Sequence, residues 1–272
     1  MRTGDSATQM GAQAGWPTFA SVQKADAVFL PVVLGLIWLG ILEGFIPKIV
    51  AHFAAHQPYS TILRIHAAVF VGWLLLLTSQ LVLIRSHKVA LHRRVGQLGC
   101  VWMPLLVVIG LVTSIIVDRS KFGTPGWDPG FFSIQLYDLV LSAALTGIAL
   151  LMRRNPASHK RLMLLGTVTL SNAGFARWWG PVLGAWLGRG YVPELVEDFL
   201  GDFLILGAML AYDFITRGRA NRALVRGAAL VVGIESLAVF IYFNSGWIAF
   251  TERFFGRNGA LSSLAAFDIV GS

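Results

Sequence analysis

Long apolar runs alternate with short polar or Gly- and Pro-bearing stretches along almost the whole chain. The runs near 27–50, 61–84, 92–117, 131–152, 159–180, 198–216 and 224–250 approach or exceed the roughly 20 residues a helix needs to cross ~30 Å of hydrocarbon. This pattern predicts an all-α fold, a polytopic membrane helix bundle of about seven transmembrane helices. Residues 1–26 read as an N-terminal tail, 27–250 as the transmembrane domain and 251–272 as a C-terminal tail. The first apolar run is too long for the core of a signal peptide, and no small-residue cleavage site follows it. The segment 178–193 is apolar but broken by Gly and Pro. It is expected to lie at the interface or re-enter the membrane, or else to extend a helix end over the headgroups.

Composition supports a membrane protein: 56% of residues are hydrophobic and 13% charged, outside the usual range of a soluble domain. The charges also set an orientation. Arg85, Lys88, Arg93 and Arg94 fall between the second and third runs, and Arg153, Arg154, Lys160 and Arg161 between the fourth and fifth. Arg217, Arg219, Arg222 and Arg226 fall between the sixth and seventh. With seven spans these connections share one side, and the positive-inside rule makes it cytoplasmic, with the N-terminus in and the C-terminus out. The expected location is the bacterial inner (cytoplasmic) membrane. On the opposite side lie Glu194, Glu197 and Asp198, with Trp127, Trp178, Trp179 and Trp247 where an outer aromatic belt belongs. The net charge of +8 is assigned to topology and contact with a bilayer of anionic lipid, not to nucleic acid. Cys100 is the only cysteine, which excludes an internal disulfide or a cysteine metal cluster.

Ionisable groups inside a bilayer cost about 2.5–3.5 kcal/mol each at its centre, so each one needs a reason. Glu43, His66, Asp138 and Asp202 fall at similar depth in the outer half, on four different runs. Arg177 lies near the outer end of the fifth, Asn172 about one and a half turns deeper, and Glu235 nearer the midplane of the seventh. His66, Glu43, Asp138, Arg177 and Asp202 are expected to line one cavity beneath 178–193. Such a site would hold a divalent metal on His66, Glu43, Asp138 and Asp202, a haem edge, or protons. The alternative is a structural network in which Arg177 neutralises Asp138 or Asp202. His52 and His56 share a helical face but read as interfacial.

A second candidate comes from a partial repeat, Ala90–Gly99 against Ala157–Gly166, which aligns His92 with His159, Arg94 with Arg161 and Gly99 with Gly166. Two neutral imidazoles from different helices are what six-coordinate haem b needs, and Arg93, Arg94, Lys160 and Arg161 would meet its propionates. The same residues also serve as ordinary interfacial anchors. Thr167-Val-Thr-Leu-Ser-Asn172 suits bonding between helices. No phosphate loop, nucleophile elbow or His-Glu-x-x-His is present.

Through Leu91-His-Arg-Arg-Val-Gly96 and His159-Lys-Arg-Leu-Met163 the chain resembles a broad group of uncharacterised bacterial multi-span membrane proteins, over about residues 60–180. It is more weakly similar to membrane b-type cytochromes, whose paired histidines sit on neighbouring helices. That second likeness implies haem b on His92 and His159 and electron exchange with quinone or a partner. A non-catalytic accessory subunit of a larger membrane complex is the other functional class. The orientation has a direct check: cysteines placed at 88 and 219 should resist labelling from the periplasmic side of intact cells and react once the membrane is opened. Labelling in intact cells would reverse the topology.

Overall fold

A computed structural model describes residue 19, residues 25–56 and residues 59–256. The regular elements among them are α-helices: α1 (Asp26–Ala54), α2 (Thr61–Arg85), α3 (Val89–Gly96), α4 (Leu98–Lys121), α5 (Phe132–Leu151), α6 (Pro156–Leu187), α7 (Tyr191–Arg217), α8 (Arg222–Tyr242) and α9 (Ser245–Phe255). Six stretches are long and apolar enough to cross a membrane: α1, α2, α3 with α4, α5, α7 and α8. Of the tails expected at 1–26 and 251–272, residues 1–18, 20–24 and 257–272 lie outside the described residues, while Asp26 opens α1 and residues 251–255 belong to α9.

At 32 residues α6 is the longest helix, yet it is not among those six. Its polar residues explain this: Thr167, Thr169, Ser171 and Asn172 are all buried, because α6 is packed against α1, α5, α7 and α8. A helix that meets protein on most sides has little need of a lipid-compatible surface. Asparagines set the helix starts. Asn155 caps α6 by accepting from the Ser158 amide at 3.2 Å, with Pro156 in the first turn, where its missing N–H costs nothing. Asn221 caps α8 through Ala223 N (2.9 Å) and Leu224 N (3.3 Å), and Asn244 caps α9 through Trp247 N (3.0 Å).

Two expectations about the elements are corrected. Of the two readings of 178–193, the broken or re-entrant segment gives way to the extended helix end, because α6 continues through Pro181 to Leu187. Gly180 and Gly184 are contact sites there, since a Cβ on either would meet the side chain of Glu197 from α7. The last apolar run is likewise two helices, α8 and α9, divided at the Asn244 cap.

Contacts give the helix directions. α1 runs parallel to α6, with Asp26 beside Lys160 at one end and Gly44 against Gly174 further along. α5 and α7 run antiparallel to α6, as His159 against Ala149 and Arg161 against Asp213 require. The basic residues of the α2–α3, α5–α6 and α7–α8 connections therefore gather at one end of the bundle, termed the basic end, whereas Lys121 and Arg189 lie at the other. Asp118, Asp128, Glu194, Glu197 and Asp198 lie toward the opposite, acidic end.

The α1–α6 crossing depends on absent side chains. Gly40 and Gly44 form a Gly-x-x-x-Gly pair whose backbone rests on the Gly174 backbone, and a methyl at Gly44 would collide with the Gly174 carbonyl. The Phe175 ring fills the space that Gly40 and Gly201 leave open, which joins α1, α6 and α7 at one level. Gly44→Leu should therefore lower thermal stability in detergent by the equivalent of about 1–3 kcal/mol or more. Gly35→Leu, at a position with nothing within 4 Å, should leave it unchanged. Equal melting temperatures for the two variants would contradict this packing.

Candidate functional site

At the basic end the helices bury a five-member charged cluster. Arg161 of α6 grips Asp213 of α7 with Nε at 2.8 Å from Oδ2 and 3.1 Å from Oδ1, and its Nη2 joins the same carboxylate. Arg217, one turn after Asp213, places Nη1 3.4 Å from Asp213 Oδ1 and Nη2 2.7 Å from Asp26 Oδ1. Asp26, the first residue of α1, also receives Lys160 and the Tyr212 hydroxyl. The Asn221 amide donates to Asp213 Oδ2 at 3.0 Å, so the α8 cap is tied into the same cluster. Arg161, Asp213 and Arg217 have relative exposures of 3%, 0% and 1%. The Phe19 ring lies 5.1 Å from the Arg161 guanidinium, 5.4 Å from that of Arg217 and 5.7 Å from that of Arg219, a cation–π lid on the cluster. This ion-pair network closes the basic end.

The acidic half is built in the opposite way, from carboxyls with few cationic partners. Asp138 (α5), Asn172 (α6), Asp202 (α7) and Glu235 (α8) occupy one layer. Asn172 donates to Asp138 Oδ2 at 2.7 Å. Asp202 and Glu235 face one another within hydrogen-bonding reach, and Asp138 lies within electrostatic reach of both. Asp202 is fully buried and Glu235 is 1% exposed, and all four of their carboxyl oxygens lack a conventional donor among the described residues. From this triad the carboxyls continue outward: Asp198 is in reach of Asp138, and Glu194, Glu197 and Asp128 are in reach of Asp198. Asp128, exposed in the loop before α5, accepts from the Tyr242 hydroxyl. The result is a ladder of acids from the acidic-end surface to the middle of the bundle.

The ladder stops at the triad. Eleven residues of α6, about 16 Å at 1.5 Å per residue, separate Asn172 from Arg161. Leu165, Val168, Leu206, Met209 and Val231 fill that interval with exposures of 4% or less. Ser142 and Thr169 are turned to the Gly166 carbonyl, and Thr146 Oγ1 is buried with no partner among the described residues.

The site residues expected from sequence are partly united. Asp138, Asp202 and Asn172 share the triad layer, joined by Glu235, which was expected nearer the midplane. Arg177 sits further toward the acidic end, beside Asp198, with His66 of α2 in its electrostatic reach. It forms no salt bridge with Asp138 or Asp202, so the expected neutralising network is absent among the described residues. Glu43 lies next to Gly44, close to the Gly174 level, but it is exposed on the outward face of α1 together with Leu39, Leu42 and Ile46. The single cavity expected to include Glu43 is therefore not formed, because the inward face of α1 belongs to Gly40 and Gly44. Among the described residues no three His, Cys, Asp or Glu are arranged to hold a metal ion.

His92 and His159 do lie at one end, within electrostatic reach of each other. His159 Nδ1 is 2.8 Å from the Ala149 carbonyl, and His92 Nδ1 is buried with no partner among the described residues. The propionate partners expected of Lys160 and Arg161 are already committed to Asp26 and Asp213, and Arg93 and Arg94 point outward. The basic residues present do not fit a haem. The repeat also diverges in environment, since Arg161 is buried and paired while its counterpart Arg94 is exposed.

Asp26 and Asp213 were not legible as functional in the sequence: the first begins an apolar run and the second ends one. Their only signal is position, a lone acid within a helical turn or so of a basic loop. Compared with known proteins, the chain matches no family model, no curated protein and no solved structure.

The closed network predicts a sharp energetic contrast. Asp213→Ala, which strands the buried Arg161 guanidinium and leaves Arg217 with Asp26 alone, should cost about 3–5 kcal/mol, read as a large drop in thermal midpoint in detergent. Arg219→Ala, at an exposed position, should change stability by less than about 1 kcal/mol. Similar midpoints for the two would show that the pair does not hold the basic end together.

Proposed function

We propose that this chain is a multi-pass membrane protein that takes up protons from its acidic end and holds them on the Asp138–Asp202–Glu235 carboxyls. The observation that carries this reading is the facing pair Asp202 and Glu235, buried with no cation beside them. Two carboxyls in that arrangement bond to each other only when a proton lies between them, and two bare charges there would repel in a medium that screens poorly. Asp198, Glu194 and Asp128 supply acceptors at successive depths, so a proton need not cross the apolar layer as a free charge.

Seven spans fit this reading better than six. Counting α6 as a span places the basic end in the cytoplasm and the ladder on the periplasmic side of a bacterial inner membrane. Protons then enter from outside and meet a closed floor at the ion-pair network. Infrared difference spectroscopy of the purified protein in lipid, between high and low pH, tests the idea. The wild type should gain protonated-carboxyl bands that shift in deuterium oxide, and Asp202→Asn should remove at least one of them. An unchanged band pattern in Asp202→Asn would refute the role of the triad.

A further inference from the structure

Two cavities open side by side at the acidic end, and Phe243 lines both. The first, of about 460 Å³, lies between the loop before α5, the α6–α7 turn and the end of α8. Trp127, Asp128 and Tyr242 form one part of its wall and Arg189 another. The Asp128 carboxylate is held in place, because Oδ1 accepts from the Gly130 amide at 2.9 Å and Oδ2 from the Tyr242 hydroxyl. Trp127 packs edge-on against Phe122 and Phe255, with ring centres 4.8 and 6.5 Å away. Arg189 is not committed in this way. Among the described residues no carboxylate oxygen comes within 4.0 Å of its guanidinium, although Glu194 is within electrostatic reach. One aromatic-walled space thus presents a fixed anion and an available cation. The second cavity, of about 580 Å³, adds an apolar wall, since Phe240 and Phe243 are 60% and 45% exposed. Gly190 and Tyr191 also line it, where α7 begins with no side-chain cap, so its first-turn amides stay available to an anion beside Arg189.

We infer that these cavities bind a phospholipid with a primary-amine headgroup, an ethanolamine lipid of the leaflet at the acidic end. The charges set its pose. The phosphate meets Arg189 and the start of α7, the ammonium reaches Asp128, and the acyl chains leave over Phe240. Only two methylene groups separate phosphate from ammonium, so one headgroup can meet both side chains of a cavity of this size. A primary ammonium donates hydrogen bonds to a carboxylate, whereas a choline headgroup has no N–H to donate. The Trp127 and Tyr242 rings add a face that attracts a cation. A glycerol headgroup would bring phosphate to Arg189 but nothing positive to Asp128. The site is separate from the buried triad and needs no proton transfer there. Asp128 is the ladder acid that the two readings share.

Native mass spectrometry of the full chain in detergent tests the site, with phosphatidylethanolamine, phosphatidylcholine and phosphatidylglycerol of equal chain length titrated in turn. The wild type should hold phosphatidylethanolamine at least tenfold more tightly than either other lipid. Asp128→Asn, which keeps an acceptor for the Gly130 amide, should erase that preference. Arg189→Gln, at an exposed position, should weaken phosphatidylethanolamine binding at least tenfold. Equal affinity of the wild type for the three lipids overturns the inference even if the variants do not fold. An unchanged preference in folded Asp128→Asn, or unchanged affinity in folded Arg189→Gln, overturns it as well. Displacement of the lipid by an equal concentration of glycerophosphoethanolamine would assign the site to a soluble ligand and overturn the membrane source.

Discussion

Enclosure of α6 is the constraint from which the rest of the architecture follows. A helix surrounded by α1, α5, α7 and α8 over residues 157–177 loses most of its contact with lipid there, and so can carry hydroxyls, an amide and two arginines that a lipid-facing helix would carry only at considerable cost. The same enclosure forces small residues where neighbours cross. Gly174 receives the α1 backbone, and Gly180 and Gly184 receive Glu197. Three polar groups on α6 find partners on three different helices: Arg161 on α7, Asn172 on α5, and Thr167 on α2 through the Trp73 indole at 3.2 Å.

The two ends treat buried charge by different means. At the basic end Asp26 and Asp213 are met by Lys160, Arg161 and Arg217, and the hydrogen-bond geometry is nearly complete, with Arg217 Nε alone left without a partner among the described residues. Such a cluster adds little net stability over an apolar replacement, but it is costly to break, so it acts as a clamp on helix ends. Toward the acidic end carboxyls accumulate with almost no neutralising partner. Groups arranged that way are poor clamps and good acceptors. The contrast argues for assigning structure to one end and chemistry to the other, with an apolar layer of about 16 Å keeping them apart.

Periodicity and charge spacing were sufficient for the helical class, for most helix positions and for the gathering of basic loops at one end, because those features follow from local hydropathy and chain alternation. The depth of Asp138, Asn172 and Asp202 was also legible, since depth is a count of residues from a helix end. Facing was not. Glu43 has the right depth and the wrong side, because the decisive facts are the Gly40 and Gly44 contacts with α6, which belong to another part of the chain. Long-range pairing was equally hidden: Asp26 and Lys160 are 134 positions apart, and no local pattern links them. The sequence by itself thus determined which segments are helical and that Asp138, Asn172 and Asp202 share one level of the bundle. Only the tertiary structure decided which side chains meet, because a helix can turn any face inward and packing with its neighbours selects one.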